Sequence, residues 1–200
     1  MCHRVSPLLA DELQTALDNL QNTGRASVPG RRADVVVPDA YPGKSMPLLV
    51  PNEEGSLQVA TLSWGFNTTV GGKHKLVFNT RIETALAQAS SGRGLWARAI
   101  EQGRCLVPVR GFYESWTKSA ERRRSDVRFT MPGRRVFLLA GIWEDERFSV
   151  VTTPPNADVG YFHTRMPLVL GPGESSRWLS AGYATLADRS AIRLDAEPEE

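Results

Sequence analysis

The sequence is poor in cysteine, histidine and lysine, and it has no long apolar run. Two cysteines in 200 residues, Cys2 and Cys105, cannot make a disulfide framework. In a reducing compartment both are expected as free thiols. The histidines are His3, His74 and His163, and together with the cysteines they show none of the paired short spacings of zinc sites. No metal and no cofactor is therefore expected. A phosphate-cradling glycine loop is also missing, and Gly71-Gly72 reads as a turn. No stretch approaches the ~18 apolar residues that span a bilayer. The opening MCHRVSPLLADELQ lacks the hydrophobic block of a secretory signal. The expectation is a cytoplasmic protein with no membrane partner.

A formal charge of +2 is too small to mark a nucleic-acid binder, but 20 of the 24 basic residues are arginine. Arginine offers a planar fork of donors that matches phosphate bidentately. A GC-rich genome would produce the same bias.

Ser6-Pro7 has the form of a helix N-cap followed by proline at the first helical position. Leu9, Leu13, Ala16, Leu17 and Leu20 then recur at helical spacing, and Gly24 closes the run. Residues 25–33 read as a loop, and Val35–Val37 and Leu48–Val50 as short strands. Leu57–Trp64 alternates like a strand, and Leu76–Phe78 is another short candidate. Short helices are expected over Ile82–Ala89 and Leu95–Glu101. Four strands follow, at Cys105–Tyr113, Val127–Met131, Val136–Trp143 and Phe148–Thr152, with a solvated hairpin tip at 121–125. Asn156-Ala157-Asp158 can cap a short helix leading to His163. Met166–Leu170 reads as a last strand and Trp178–Leu186 as short helical pieces. An acidic tail from about 191, ending DAEPEE, is expected to fray. The pattern predicts one α+β domain over residues 1–200, with a largely antiparallel, barrel-like β core and peripheral helices.

Cys2 carries the most chemical information. Methionine is trimmed when a small residue follows it, which would leave a chain beginning with a 1,2-aminothiol. Its amine titrates near ~7.7–8.0 and its thiol near ~8.5, so both nucleophiles are accessible at neutral pH. Such a pair condenses with an aldehyde to an imine that the thiol closes to a thiazolidine. An internal cysteine cannot do this, because its nitrogen is an amide. Three further segments concentrate reactive side chains: Phe78-Asn79-Thr80-Arg81-Ile82-Glu83-Thr84; Arg104-Cys105-Leu106-Val107-Pro108-Val109-Arg110-Gly111-Phe112-Tyr113-Glu114-Ser115-Trp116; and Thr152-Thr153-Pro154-Pro155-Asn156 with His163-Thr164-Arg165-Met166-Pro167.

With Met1-Cys2, Trp64-Gly65 and Ala140-Gly141-Ile142-Trp143-Glu144, these segments resemble, in order, the SRAP family of SOS-response-associated peptidases or abasic-site processing proteins. The resemblance runs from Cys2 to about Leu170. It implies covalent capture of abasic sites in single-stranded DNA by Cys2, shielding the lesion during the DNA damage response. It further implies that Asn79 holds the opened sugar and the N-terminal amine. Glu114 would relay protons at the amine and imine, and His163 would help open the deoxyribose ring. The resemblance also implies phosphate contacts by Arg81 and Arg165, with Arg4 a third. Trp64 and Phe66 are candidates to stack on bases beside the lesion. Ring opening and imine formation both need proton transfer, which a His and a Glu supply. Phosphate contacts position a strand without reading its sequence, which suits a lesion that has lost its base.

Each residue has a plainer reading too: a core histidine, a structurally paired glutamate, a capping asparagine, surface arginines and packed aromatics. Cys105 reads as a small buried hydrophobe. The chain departs from the family where W-G-L-I-P-x-W is replaced by Trp64-Gly65-Phe66-Asn67-Thr68-Thr69-Val70. It departs again at Arg110, where Asp is common, and at Ser115, which separates Glu114 from Trp116. A lyase activity is expected beside the crosslinking, and two alternative functions use the same residues: a cysteine-type (auto)peptidase with Cys2 and His163, and a non-covalent single-strand binder. A monomer at DNA in the nucleoid, with replication-fork proteins as partners, completes the expectation.

Overall fold

A computed structural model of the chain describes residues 2–23, 37–118 and 123–199. The expected loop at 25–33, most of the strand at Val35–Val37 and the first two residues of the hairpin tip at 121–125 lie outside these residues, and 123–125 belong to a strand. In chain order the described strands are β1 (Arg4–Pro7), β2 (Ser45–Pro51), β3 (Leu57–Trp64), β4 (Phe66–Val70), β5 (Lys73–Val77), β6 (Asn79–Arg81), β7 (Arg104–Lys118), β8 (Arg123–Thr130), β9 (Phe137–Glu144), β10 (Arg147–Thr153), β11 (Met166–Pro167), β12 (Val169–Leu170) and β13 (Asp195–Pro198). The helices are α1 (Ala10–Thr23), α2 (Ile82–Ser91), α3 (Ala97–Gln102), α4 (Ala157–Gly160) and α5 (Ser175–Leu179), followed by a 3-10 turn over Ala181–Leu186.

Five strands close a barrel in the order β9, β10, β3, β2, β7 and back to β9. Closure follows from side chains that alternate between two apolar environments. Cys105, Val107 and Val109 of β7 and Phe148 and Val150 of β10 join one buried cluster. Leu106, Ala140, Ile142 and Val151 point the other way, into a second cluster with Ile82, Trp96, Ile100 and Trp178 from the helical segments. The barrel therefore has an apolar interior and an apolar flank covered by helices. Gly141 lets β9 pack closely on β7: a Cβ there would come within 2.7 Å of the Cys105 sulfur. Among the described residues no helix is long and apolar enough to cross a membrane.

The α+β barrel matches the expectation, and most pairings are antiparallel. The exceptions are β10 with β3 and β10 with β6, which are parallel. Period-2 alternation is the same in both directions, so sequence pattern cannot separate them. Ser6-Pro7 does not begin the first helix. These residues belong to β1, which pairs with β7 from Arg4 opposite Tyr113 to a register shift at Pro7. The helix begins at Ala10, and Glu12 reaches back to accept from the Leu9 N–H at 2.9 Å, doing the work of the missing cap. Phe66–Val70, unassigned from sequence, forms a hairpin with Lys73–Val77 through Gly71 and Gly72, both at positive φ. The last strand is split into β11 and β12. The acidic tail does not fray: β13 adds to the edge of β8.

Candidate functional site

Cys2 precedes β1, and the pairing of β1 with β7 fixes where it lies. Its side chain is fully buried and its Sγ faces the Arg4 carbonyl oxygen at 3.8 Å. Asn79 arrives from the opposite direction. The parallel pairing of β6 with β10, Asn79 opposite Val150, brings it against the same segment. Its Nδ2 donates to the Cys2 carbonyl oxygen at 2.8 Å, joining residues 77 positions apart in sequence.

Glu114 sits on β7 immediately after the residue paired with Arg4, and it is completely buried. Its Oε2 lies 3.8 Å from Nδ1 of His163. Burial pushes its carboxyl up to about 7, and the Asp126 carboxylate acts in the same direction. A carboxyl titrating there exchanges protons readily at neutral pH. Burial and the Glu114 charge together push the Cys2 thiol well up, so it is held protonated.

His163 follows α4, whose N-cap is Asn156, accepting from the Val159 N–H at 2.9 Å as the sequence suggested. Its Nδ1 lies 3.0 Å from both the N–H and the carbonyl oxygen of Arg165. The ring can accept from one when Nδ1 is bare, or donate to the other when it is protonated. Burial pushes the His163 pKa down, favouring the neutral ring.

Cys2, Asn79, Glu114 and His163 are thus brought together from β1, β6, β7 and the α4 turn. The arginines differ among themselves. Arg165 is clamped by both Glu83 oxygens, at 2.6 and 3.1 Å, and by the Thr152 carbonyl oxygen at 2.8 Å. Arg81 is exposed at the start of α2. Arg4 lies over the Tyr113 ring, 3.6 Å from its centroid, and meets Asp39, Asp126 and Glu199.

The expected stacking surface at Trp64 and Phe66 is corrected by burial. Trp64 is 0% exposed, stacks on Phe148 and donates its indole N–H to the Phe78 carbonyl oxygen at 2.8 Å. Phe66 packs edge-on against Trp96 in the flanking cluster. Gly65 turns the chain between these two rings at a φ of 116°, which suits glycine. The exposed aromatic surface lies elsewhere. Tyr161, two residues before His163, is 76% exposed and packs with Phe162 and with Trp116, which is two residues after Glu114. The regular register of β7 with β8 puts Trp116 on the same face as Glu114. Trp116 lies in the same sequence segment as Glu114, and alternation along that strand is the signal that places it beside Glu114. The inserted Ser115 points to the other face, where its hydroxyl donates to Asp126. Arg110 serves the scaffold, binding Glu12 of α1 at 2.6 Å. Cys105 is buried within β7, as expected. Among the described residues no group of three or more His, Cys, Asp and Glu side chains could hold a metal ion.

These elements define a small closed-barrel protein with a buried cysteine whose main chain is held by an amide and which is bordered by a close Glu–His pair. The family model described as SOS response associated peptidase (SRAP) matches residues 1–199, and the chain belongs to that family. It is similar to the abasic site processing protein YoaM of Bacillus subtilis, 22% identical over 142 residues, covering 66% of this chain and 61% of that protein. It is also similar to the abasic site processing protein YMR114C of Saccharomyces cerevisiae, 27% identical over 125 residues, covering 58% of this chain and 32% of the yeast protein. The alignments therefore span less than two thirds of these relatives' own length. Crystal structures of proteins from Bordetella bronchiseptica (TM-score 0.70, 22% identity, 100% of both chains) and Bacteroides thetaiotaomicron (TM-score 0.69, 20% identity, 100% of this chain and 92% of that one) share the fold.

Proposed function

We propose that this chain captures abasic sites in single-stranded DNA covalently, through the aminothiol that Cys2 becomes once Met1 is removed. The observation that carries the reading is the 2.8 Å bond from Asn79 to the Cys2 main chain, beside a Glu114 poised at about 7 and 3.8 Å from His163. The names of the relatives supply the substrate class.

The reaction divides into three steps. The closed sugar of an abasic site is a hemiacetal, and it opens to the C1′ aldehyde when the ring oxygen gains a proton and the C1′ hydroxyl loses one. Neutral His163 and Glu114 are the exchange partners. The Cys2 amine then adds to C1′, and the resulting carbinolamine loses its hydroxyl as water after protonation by Glu114, leaving an imine. Last, the Cys2 sulfur adds to the imine carbon while its proton goes to the nitrogen. The net change is aldehyde plus aminothiol to thiazolidine plus water. The amine acts first and the thiol adds later, so a thiol held protonated in the resting site suits this order.

The same raised thiol pKa disfavours a cysteine peptidase, which needs an activated thiolate. Arg81 and Arg165 would meet flanking phosphates, and Tyr161 with Trp116 would stack on a neighbouring base. Replication-fork partners, a monomeric state and a lyase side activity belong to the same reading, and a cysteine-type (auto)peptidase is the alternative.

The test is a denaturing gel of protein mixed with a uracil-DNA-glycosylase-treated single-stranded oligonucleotide, after mass spectrometry has verified loss of Met1. A shifted band from wild type, absent for Cys2→Ala and for intact oligonucleotide, is expected. No band from the mature protein would overturn covalent capture. Cleavage of an unrelated protein, abolished by Cys2→Ala, would move the peptidase reading ahead.

A further inference from the structure

We propose that residues 195–199, Asp-Ala-Glu-Pro-Glu, act as an internal polyanion that occupies a phosphate-binding strip formed by Arg4 and Arg128, and that single-stranded DNA must displace it to reach Cys2. The proposal rests on the DNA-capture reading and adds a regulator to it.

The first observation is how this segment is held. Strand β13 pairs with β8 from Asp195 opposite Thr130 to Pro198 opposite Val127, yet all four of its residues are exposed. It places no side chain in the core. Its side-chain contacts are ionic: Glu197 meets Arg128 at 3.3 Å and Glu199 meets Arg4. The Glu199 main chain accepts from the Ser125 hydroxyl and donates to the Asp126 carbonyl oxygen at 2.7 Å.

The second observation is the charge around Arg4. Asp39 at 3.7 Å and Asp126 at 3.6 Å already face its guanidinium, so Glu199 is a third carboxylate on one cation. Structural neutralisation does not require it. Arg4 is also two residues from Cys2, and its main-chain carbonyl oxygen faces the Cys2 sulfur at 3.8 Å, so the anion is held on the segment that leads into the nucleophile. A carboxylate oxygen on an arginine N–H stands where a phosphate oxygen would accept.

The third observation is a fixed root below a removable end. Asn156 donates to the Ile192 carbonyl oxygen at 2.8 Å, and the Leu194 N–H donates to Asp158 at 2.9 Å. Leu194 itself is buried. The segment can therefore peel from Asp195 onward while its root stays on the turn that carries His163. Exposed ion pairs on an edge strand are weakly held and screened by salt, whereas a strand of phosphates brings counterion release as well. The competing role for β13 is to cover the edge of β8, and such a cover would remain in place when DNA binds.

The experiment compares wild type, Glu197→Gln/Glu199→Gln and a charge-matched control, Glu53→Gln/Glu54→Gln, in exposed positions of the β2–β3 turn. Binding of a fluorescent (dT)15 is measured by anisotropy across salt concentrations. The tail variant is expected to bind about 3- to 10-fold tighter at low salt, with a gain that shrinks as salt rises, while the control stays near wild type. Equal affinity of tail variant and control, or binding by neither, would overturn the proposal. In parallel, hydrogen exchange of wild type at saturating (dT)15 is expected to show loss of protection at the 195–199 amides, and retained protection would overturn it. Abasic crosslinking is scored separately on a gel, so failure of covalent capture leaves the affinity comparison intact.

Discussion

Replacing Glu114 with glutamine keeps the shape of the side chain and removes its titration. Glu114 is fully buried, and its carboxyl is raised from 4.5 to about 7. The folded protein then holds a proton that the unfolded chain gives up between those values. Stability from this group is fully present below 4.5 and is lost as pH rises through about 7. At 1.36 kcal/mol per pKa unit, wild type is expected to lose about 2.5 kcal/mol between about pH 5 and pH 8 through this residue. His163 acts with the opposite sign: its folded pKa is depressed, so its contribution is present above its ordinary 6.5 and is lost as pH falls. That slope is present in both proteins, and the difference between them isolates Glu114. The assay is urea denaturation at several pH values, with the m-value checked for constancy. Glu114→Gln should lack the decline, so its advantage over wild type should grow from pH 5 to pH 8. The same variant should form adduct about 10²–10⁴-fold more slowly, since the proton relay is gone. Parallel pH profiles for the two proteins would refute a raised Glu114 carboxyl.

Other outcomes follow from the same geometry. Cys2→Ala should abolish the gel-stable adduct, and Asn79→Ala should slow its formation while Cys2 remains reactive towards a small aldehyde after unfolding; a full-rate Asn79→Ala protein would remove the amide from the mechanism. Trp64→Ala should cost about 3–5 kcal/mol of stability, the loss expected for a buried tryptophan, whereas Tyr161→Ala should leave the denaturation midpoint unchanged and weaken binding to single-stranded DNA by about 1–3 kcal/mol. The reverse pattern in calorimetry and anisotropy would return base stacking to Trp64. Arg110→Asp, which restores the residue common in the family, should destabilise the fold by about 3 kcal/mol because it sets a carboxylate against the mostly buried Glu12, as read from the denaturation midpoint.

Much of the fold was legible because each element carries its own local signal. Leu57–Trp64 alternates and is a strand with those bounds; Asn156 has a capping side chain and caps α4. The candidate site, whose four residues the fold brings together, drew on another kind of signal. Cys2 follows Met1 directly, and the motifs around Asn79, Glu114 and His163 are contiguous in sequence. What remained hidden depends on pairing between distant segments. Ser6-Pro7 has the local form of a helix start, yet β7 recruits it as a strand because main-chain bonds to Val109–Tyr113 are available there. Asp195–Glu199 looks like a solvated tail, and only the open edge of β8 and two arginines far away in sequence make it a strand. Trp64 and Trp116 are equally aromatic on paper. Chain position decided which ring fills the barrel and which stands beside Glu114, since burial is a property of the closed sheet and not of the residue. The proposal for Cys2 therefore starts from the sequence, while the proton affinity of Glu114 and the partners of Arg4 exist only once the barrel has brought its strands together.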